Sequence, residues 1–242
     1  MPFRRMPATD NQRTAALSAA KHKLDNTAVQ LRPLSAATIT ALNQFLPIWN
    51  NENTQRAGSL SVQTQATVVH MEKLDTLRVL VSHFIQVFNL AVARGKYSVT
   101  QRPILGLDMN AESVPNLGRE ADVFLWAQKL IAGETIRIAE DENSAMQNPE
   151  IAELSAVFTA AQASLAAQSL AKDNLDAEQE DVDDLRPQAD ALIRDIWDEV
   201  EFFHRRESAA GLRANAREWG VFYAQRPGEP EEPTEPEAPV EG

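Results

Sequence analysis

The chain has no cysteine, which excludes disulfides, thiolate metal sites and a cysteine nucleophile. Glycine is scarce at nine residues, and aromatics make up 6%. The sequence holds no Gly-rich phosphate loop, no His-Glu-x-x-His and no Gly-x-Ser-x-Gly. Its four histidines, His22, His70, His83 and His204, lie in separate segments. The opening MPFRRMPATDNQRT carries three arginines but no apolar h-region and no small-residue cleavage site, so the expected compartment is the cytoplasm, with non-classical export left open. A membrane-length apolar run is also missing. RVLVSHFIQVFNLAVARG is uncharged only between Arg78 and Arg94, and a span needs about 20 apolar residues. At 100° per residue, Ser82, His83, Gln86 and Asn89 fall within an arc of about 120°, opposite an apolar face. That two-faced pattern predicts a core helix, with His83 on its polar stripe making a helix–helix hydrogen bond.

What the chain has in abundance is Ala, Gln, Leu, Glu and Asp, a mixture that favours helices because most of these side chains lose little rotamer freedom there. Apolar spacing predicts a helix capped at Thr9 or Asp10 and running to about Leu31, and a second beginning after Ser35. The second carries Leu42, Phe45, Leu46 and Trp49, meets Pro47, and resumes through Leu60, Met71, Leu74 and Phe88. Residues 95 to 118 read as an ordered connector and as the place for specificity. Further helices are predicted over about 119 to 139, from Asn148-Pro149-Glu150 to about Arg206 with a kink at Pro187, and over 212 to 219. Leu175, Val182, Ala189, Ile196 and Phe203 recur every seven residues as a seam. Asn53, Thr64, Thr67, Gln168, Lys172 and Gln179 put polar groups on the seams of both long helices. Two separate apolar clusters follow, one near 79–93, 119–138 and 150–167 and one near 17–49 and 189–203, with a weakly packed waist between them. The expected fold is all-α, an elongated antiparallel bundle on two long, proline-kinked helices: a flexible arm at 1–9, one domain at 10–225 and a disordered Pro/Glu-rich tail at 226–242.

The formal net charge of −12 is uneven. GEPEEPTEPEAPVEG carries six Glu, and residues 173–201 carry twelve acids against Arg186 and Arg194. No clustered basic face is available to displace counterions, so nucleic acid is not an expected partner, nor is an anionic membrane. The acidic run reads as a solvated helix face; calcium is disfavoured because EDVDDL lacks the loop spacing. Glu201 and His204 match Glu-x-x-His and are the candidate metal ligands, without the second pair that di-metal bundles require. The candidate interaction residues are Arg205, Arg206, Arg213 and Arg217, which follow directly on the acidic stretch, and Asp181, Asp183 and Asp184 within it. Such a charge reversal suits either an intramolecular return or a head-to-tail subunit contact.

Four blocks carry a resemblance: SHFIQVFNLAVARG, VPNLGREADVFLWAQKLIAGE, AKDNLDAEQEDVDDLRPQADALIRDIWDEVE and AREWGVFYA. They resemble the recurring blocks of a set of uncharacterised bacterial helical proteins of similar size. The resemblance implies a bacterial origin and a compact helical unit, and it carries no site residues. The functional expectation is a non-enzymatic protein that acts by helical packing, self-assembling as a homo-oligomer or docking a protein partner, with no cofactor. A membrane-active helical protein that rearranges on insertion is the first alternative, and a metal-binding bundle the second.

Overall fold

The computed structural model describes residues 2–140 and 145–225; the expected tail at 226–242 lies outside the described residues. The fold is all-α. Five α-helices are described: α1 (Asp10–Asp25), α2 (Ala36–Ala93), α3 (Glu120–Glu140), α4 (Ile151–Phe203) and α5 (Ala209–Glu218). Two strands of two residues, β1 (Phe3–Arg4) and β2 (Tyr223–Ala224), pair antiparallel. The expected flexible arm thus contains a strand, paired with Tyr223–Ala224. Helix α1 begins where predicted, with a capping box between Thr9 and Gln12, but ends at Asp25, followed by a 3-10 turn over Val29–Leu31. Both long helices run through their prolines, Pro47 and Pro187, without ending.

Where spacing led to one domain, the chain divides into two compact units. One comprises residues up to Gly58 with those from Asp176 onward, and the other Ser59–Leu175. Each has its own core, as the apolar spacing predicts. In the first, Leu17, Leu42, Trp49, Ile193, Trp197 and Trp219 are buried together; in the second, Leu77, Phe84, Phe88, Leu130 and Leu154 are. From Asn50 to Val69 helix α2 has no buried residue. The heptad seam of α4 is buried at Leu175, Val182, Ala189 and Ile196, but Phe203, at the helix end, is exposed.

Within the first unit the acidic run is more than a solvated face. Glu199 accepts hydrogen bonds from the Ser35 hydroxyl at 2.9 Å, the Ser35 N–H at 2.6 Å and the Thr38 hydroxyl at 2.7 Å, locking the start of α2 to α4. Asp190 takes a two-pronged bond from Arg13 at 2.8 and 3.0 Å. Asp10, in the first turn of α1, receives Arg186 at 2.8 Å and Arg56 at 2.7 Å. The Arg186 hydrogen bond, opposed by burial and reinforced by Arg56, holds the Asp10 carboxyl well below the usual carboxylate range. A carboxyl depressed by folding adds stability above its unfolded value of about 3.9, and that stability is lost as pH falls. We expect Asp10→Asn to cost about 1–3 kcal/mol at neutral pH. The melting-temperature gap to the parent should close as pH drops below about 4. A gap independent of pH would assign the loss to shape and not to charge.

The second unit is organised around the connector. Gly95 and Gly106, both at positive φ, bracket a 3-10 helix over Val99–Leu105. Arg102, 1% exposed, donates to the Asp108 carbonyl at 2.7 Å, to Asn89 Oδ1 at 2.8 Å and to the Ala111 carbonyl. Asn89 in turn donates to the Glu112 carbonyl at 2.8 Å. The polar stripe of α2 therefore meets the connector and not another helix. Its other members, Ser82, His83 and Gln86, line an open groove of about 500 Å³ against Val114, Pro115 and Leu117.

Candidate functional site

The structure does not bring Glu201 and His204 to one ligand position. Helix α4 ends at Phe203, so the helical face that Glu-x-x-His requires stops one residue short. Glu201 accepts from the Tyr223 hydroxyl at 2.5 Å and from Arg4 at 3.2 Å. His204 instead bonds Glu207 at 2.6 Å through Nδ1. That bond holds the Glu207 carboxyl below its ordinary value, while burial, followed by the Glu201 bond, raises the Tyr223 phenol. Among the described residues one group of carboxylates lies close enough to share an ion: Glu52, Glu178 and Asp181, with oxygens within 4.8 Å of one another. Asp181 and Glu178 were legible as part of the acidic run, but Glu52 is 126 residues earlier than Glu178, and only folding joins them.

Several residues of the expected charge reversal make local contacts within the chain. Asp183 pairs with Arg186, and Asp184 is exposed. The Arg205 guanidinium lies 3.8 Å from the centre of the Phe202 ring and donates to the Phe202 carbonyl at 2.6 Å. Arg217 lies 5.5 Å from the Tyr223 ring centre. Arg213 is half-buried and Arg206 exposed.

The second unit assembles a constellation that spacing alone does not reveal. His70 of α2, 2% exposed, places Nδ1 3.1 Å from Ser164 Oγ of α4 and Nε2 3.2 Å from Glu120 Oε2 of α3. Serine, histidine and a carboxylate in a row suggest acyl transfer, but the surroundings argue for a clasp. Ser164 donates its one hydrogen to the Ala161 carbonyl at 2.8 Å. It sits in the interior of α4, where backbone N–H groups are spent on the helix ladder and none is left to hold an oxyanion. The arrangement ties three helices together through two buried groups, His70 and Ser164, and the half-exposed carboxylate of Glu120. Its pairing of positions 70 with 164, and of Thr67 with Gln168 at 3.2 Å, shows α2 and α4 antiparallel in this unit.

Beside this clasp two apolar surfaces stand open. Leu60, Val62, Val68, Val69 and Met71 are all exposed, within one short stretch of α2. At 100° per residue, Leu60, Val68 and Met71 share a strip about 80° wide. Leu60 and Met71 belong to the spacing that elsewhere marks the core, yet they are 52% and 59% exposed. The other surface is a groove of about 680 Å³ between α3 and α4. Phe124 and Leu125 form one wall and Phe158 and Leu165 the other, with the Gln128 and Gln162 amides between and Glu120 present in its lining. The Phe124 and Phe158 rings meet edge to face at 6.0 Å. The chain matches no family model, no curated protein and no solved structure.

Proposed function

We propose that the protein is a non-enzymatic association module that binds a second copy of itself through the second unit. The carrying observation is the exposed apolar strip of Leu60, Val68 and Met71 on α2, left uncovered in a protein of net charge −12. Contiguous exposed apolar surface marks interaction sites because its hydration is relieved on burial. A second copy is the occupant because the same chain offers both complementary shapes, a convex helical strip and a concave groove able to accept a helix. Such an interface relies on apolar burial, so it tolerates salt. Association through Asp181, Asp183 and Asp184 with the arginines at 205, 206, 213 and 217 would be screened instead.

Light scattering over a range of concentration and salt tests this. The expected result is an oligomer whose mass does not fall with salt. Val68→Glu combined with Met71→Glu should weaken assembly at least about tenfold, because new charges would have to be buried. A strict monomer at all concentrations would sink the proposal, and an oligomer that dissociates in salt would move it to the charged segments. A second reading, insertion into a lipid bilayer, is favoured by one feature: α2 holds an 18-residue window apolar enough to cross a membrane by length and composition. Leakage of dye from liposomes would support that reading, and intact liposomes over a wide concentration range would end it.

A further inference from the structure

The first unit holds a half-open cavity of about 420 Å³ between α1, the end of α4 and the turn after α5. It exists because of a contrast in size. Ala15 and Ala19, one helical turn apart, line it together with Trp197, Met6 and Phe222. The wall is drawn in at Gly220, at φ 84°, where an added Cβ would lie 2.6 Å from the Ala16 carbonyl oxygen. The turn and α1 are therefore held at a fixed short distance, and the alanines leave the space unfilled. Two guanidinium groups, those of Arg5 and Arg217, also line it. Arg4, the neighbour of Arg5, is paired with Asp198 and Glu201. Arg5 is exposed and has no ion pair among the described residues. In a protein of net charge −12, a cation left in this position concentrates positive potential at an apolar cavity.

We propose that this cavity binds a small amphiphilic anion, a carboxylate with an apolar body. The body lies against Trp197 and Met6, and the carboxylate is held by Arg5 and Arg217. The volume falls within the range of ordinary ligand sites, about 300–1,000 Å³. Apolar walls with a few placed cations select this class over free phosphate, which has no apolar part to bury, and over a fatty alcohol, which has no charge. The chain's own acidic stretch at 228–242 has the charge but only Ala238 and Val240 as aliphatic side chains beyond proline, so it lacks the body.

Calorimetric titration of the full chain with decanoate, decanol and decyltrimethylammonium, each below its micelle-forming concentration, decides the matter. The expected result is one equivalent of decanoate bound at least tenfold tighter than decanol, with the ammonium weakest, and a change in tryptophan fluorescence on binding. Arg5→Gln should weaken decanoate several-fold and leave decanol unchanged. Ala15→Leu, a substitution at an exposed helix position that fills the cavity, should abolish binding of both. Equal affinity for the three amphiphiles, or decanoate binding retained in Ala15→Leu, overturns the proposal. Should Ala15→Leu melt early, the Arg5→Gln comparison alone remains decisive: decanoate affinity unchanged there overturns it as well.

Discussion

Glu134→Leu should cost the Ser59–Leu175 unit about 3–5 kcal/mol, the usual loss when one partner of a buried ion pair is removed. Glu134 and Arg137 are both fully buried, and two parallel bonds of 2.8 Å join them one turn apart on α3. Burial works against the guanidinium charge, and the Glu134 bond and field outweigh it, so Arg137 is held above its ordinary value. The same carboxylate accepts from the Met146 N–H at 2.9 Å, fixing the chain that leads into α4. Arg137 is also set over aromatic faces, 4.2 Å from the centre of Tyr97 and 5.6 Å from that of Phe88. Without Glu134 that charge stays inside a low-dielectric core and loses its two-pronged carboxylate partner. Urea unfolding followed by circular dichroism measures the loss. The double variant Glu134→Leu, Arg137→Met should recover a large part of it, because an apolar pair of similar volume needs no desolvation. A double variant as unstable as the single one would show that the carboxylate matters through Met146 and the chain path, and not through the pair.

Gly133→Ala is expected to be almost as damaging, about 3 kcal/mol or more, despite a helix propensity gain of about 1 kcal/mol for replacing glycine. The reason is geometric. A Cβ at Gly133 would lie 2.3 Å from the Ile104 carbonyl oxygen and 2.8 Å from Leu105 Cα. Both are backbone atoms of the 3-10 helix that packs on α3, so neither can turn aside as a flexible side chain would. Over-packing therefore wins over propensity. Gly58, inside α2, is the matched control, since nothing lies within 4 Å of its added Cβ. Gly58→Ala should stabilise by about 0.5–1 kcal/mol. Thermal melts of the two variants should move in opposite directions; a loss in both would mean that helix geometry, and not contact with the connector, governs Gly133.

Periodic apolar residues determined much of this fold before any tertiary contact was considered. The all-α class, the five helices to within a few residues at most of their ends, and the two apolar clusters all follow from spacing, because a helix repeats its face every 3.6 residues whatever lies beyond it. Thr9 and Ser35 were legible as caps for the same local reason: a cap bonds a backbone N–H only a few residues away. Local spacing also misled. Leu31, Leu60, Met71 and Phe203 sit on apolar periods and are exposed, since periodicity states which residues share a face and not whether a neighbour covers it. The division into two units, the His70–Ser164–Glu120 clasp, the Glu52–Glu178–Asp181 cluster and the cavity over Trp197 were decided by the tertiary structure alone. Each joins residues tens to well over a hundred positions apart, and a pattern read along one helix carries no information about which distant helix will lie against it.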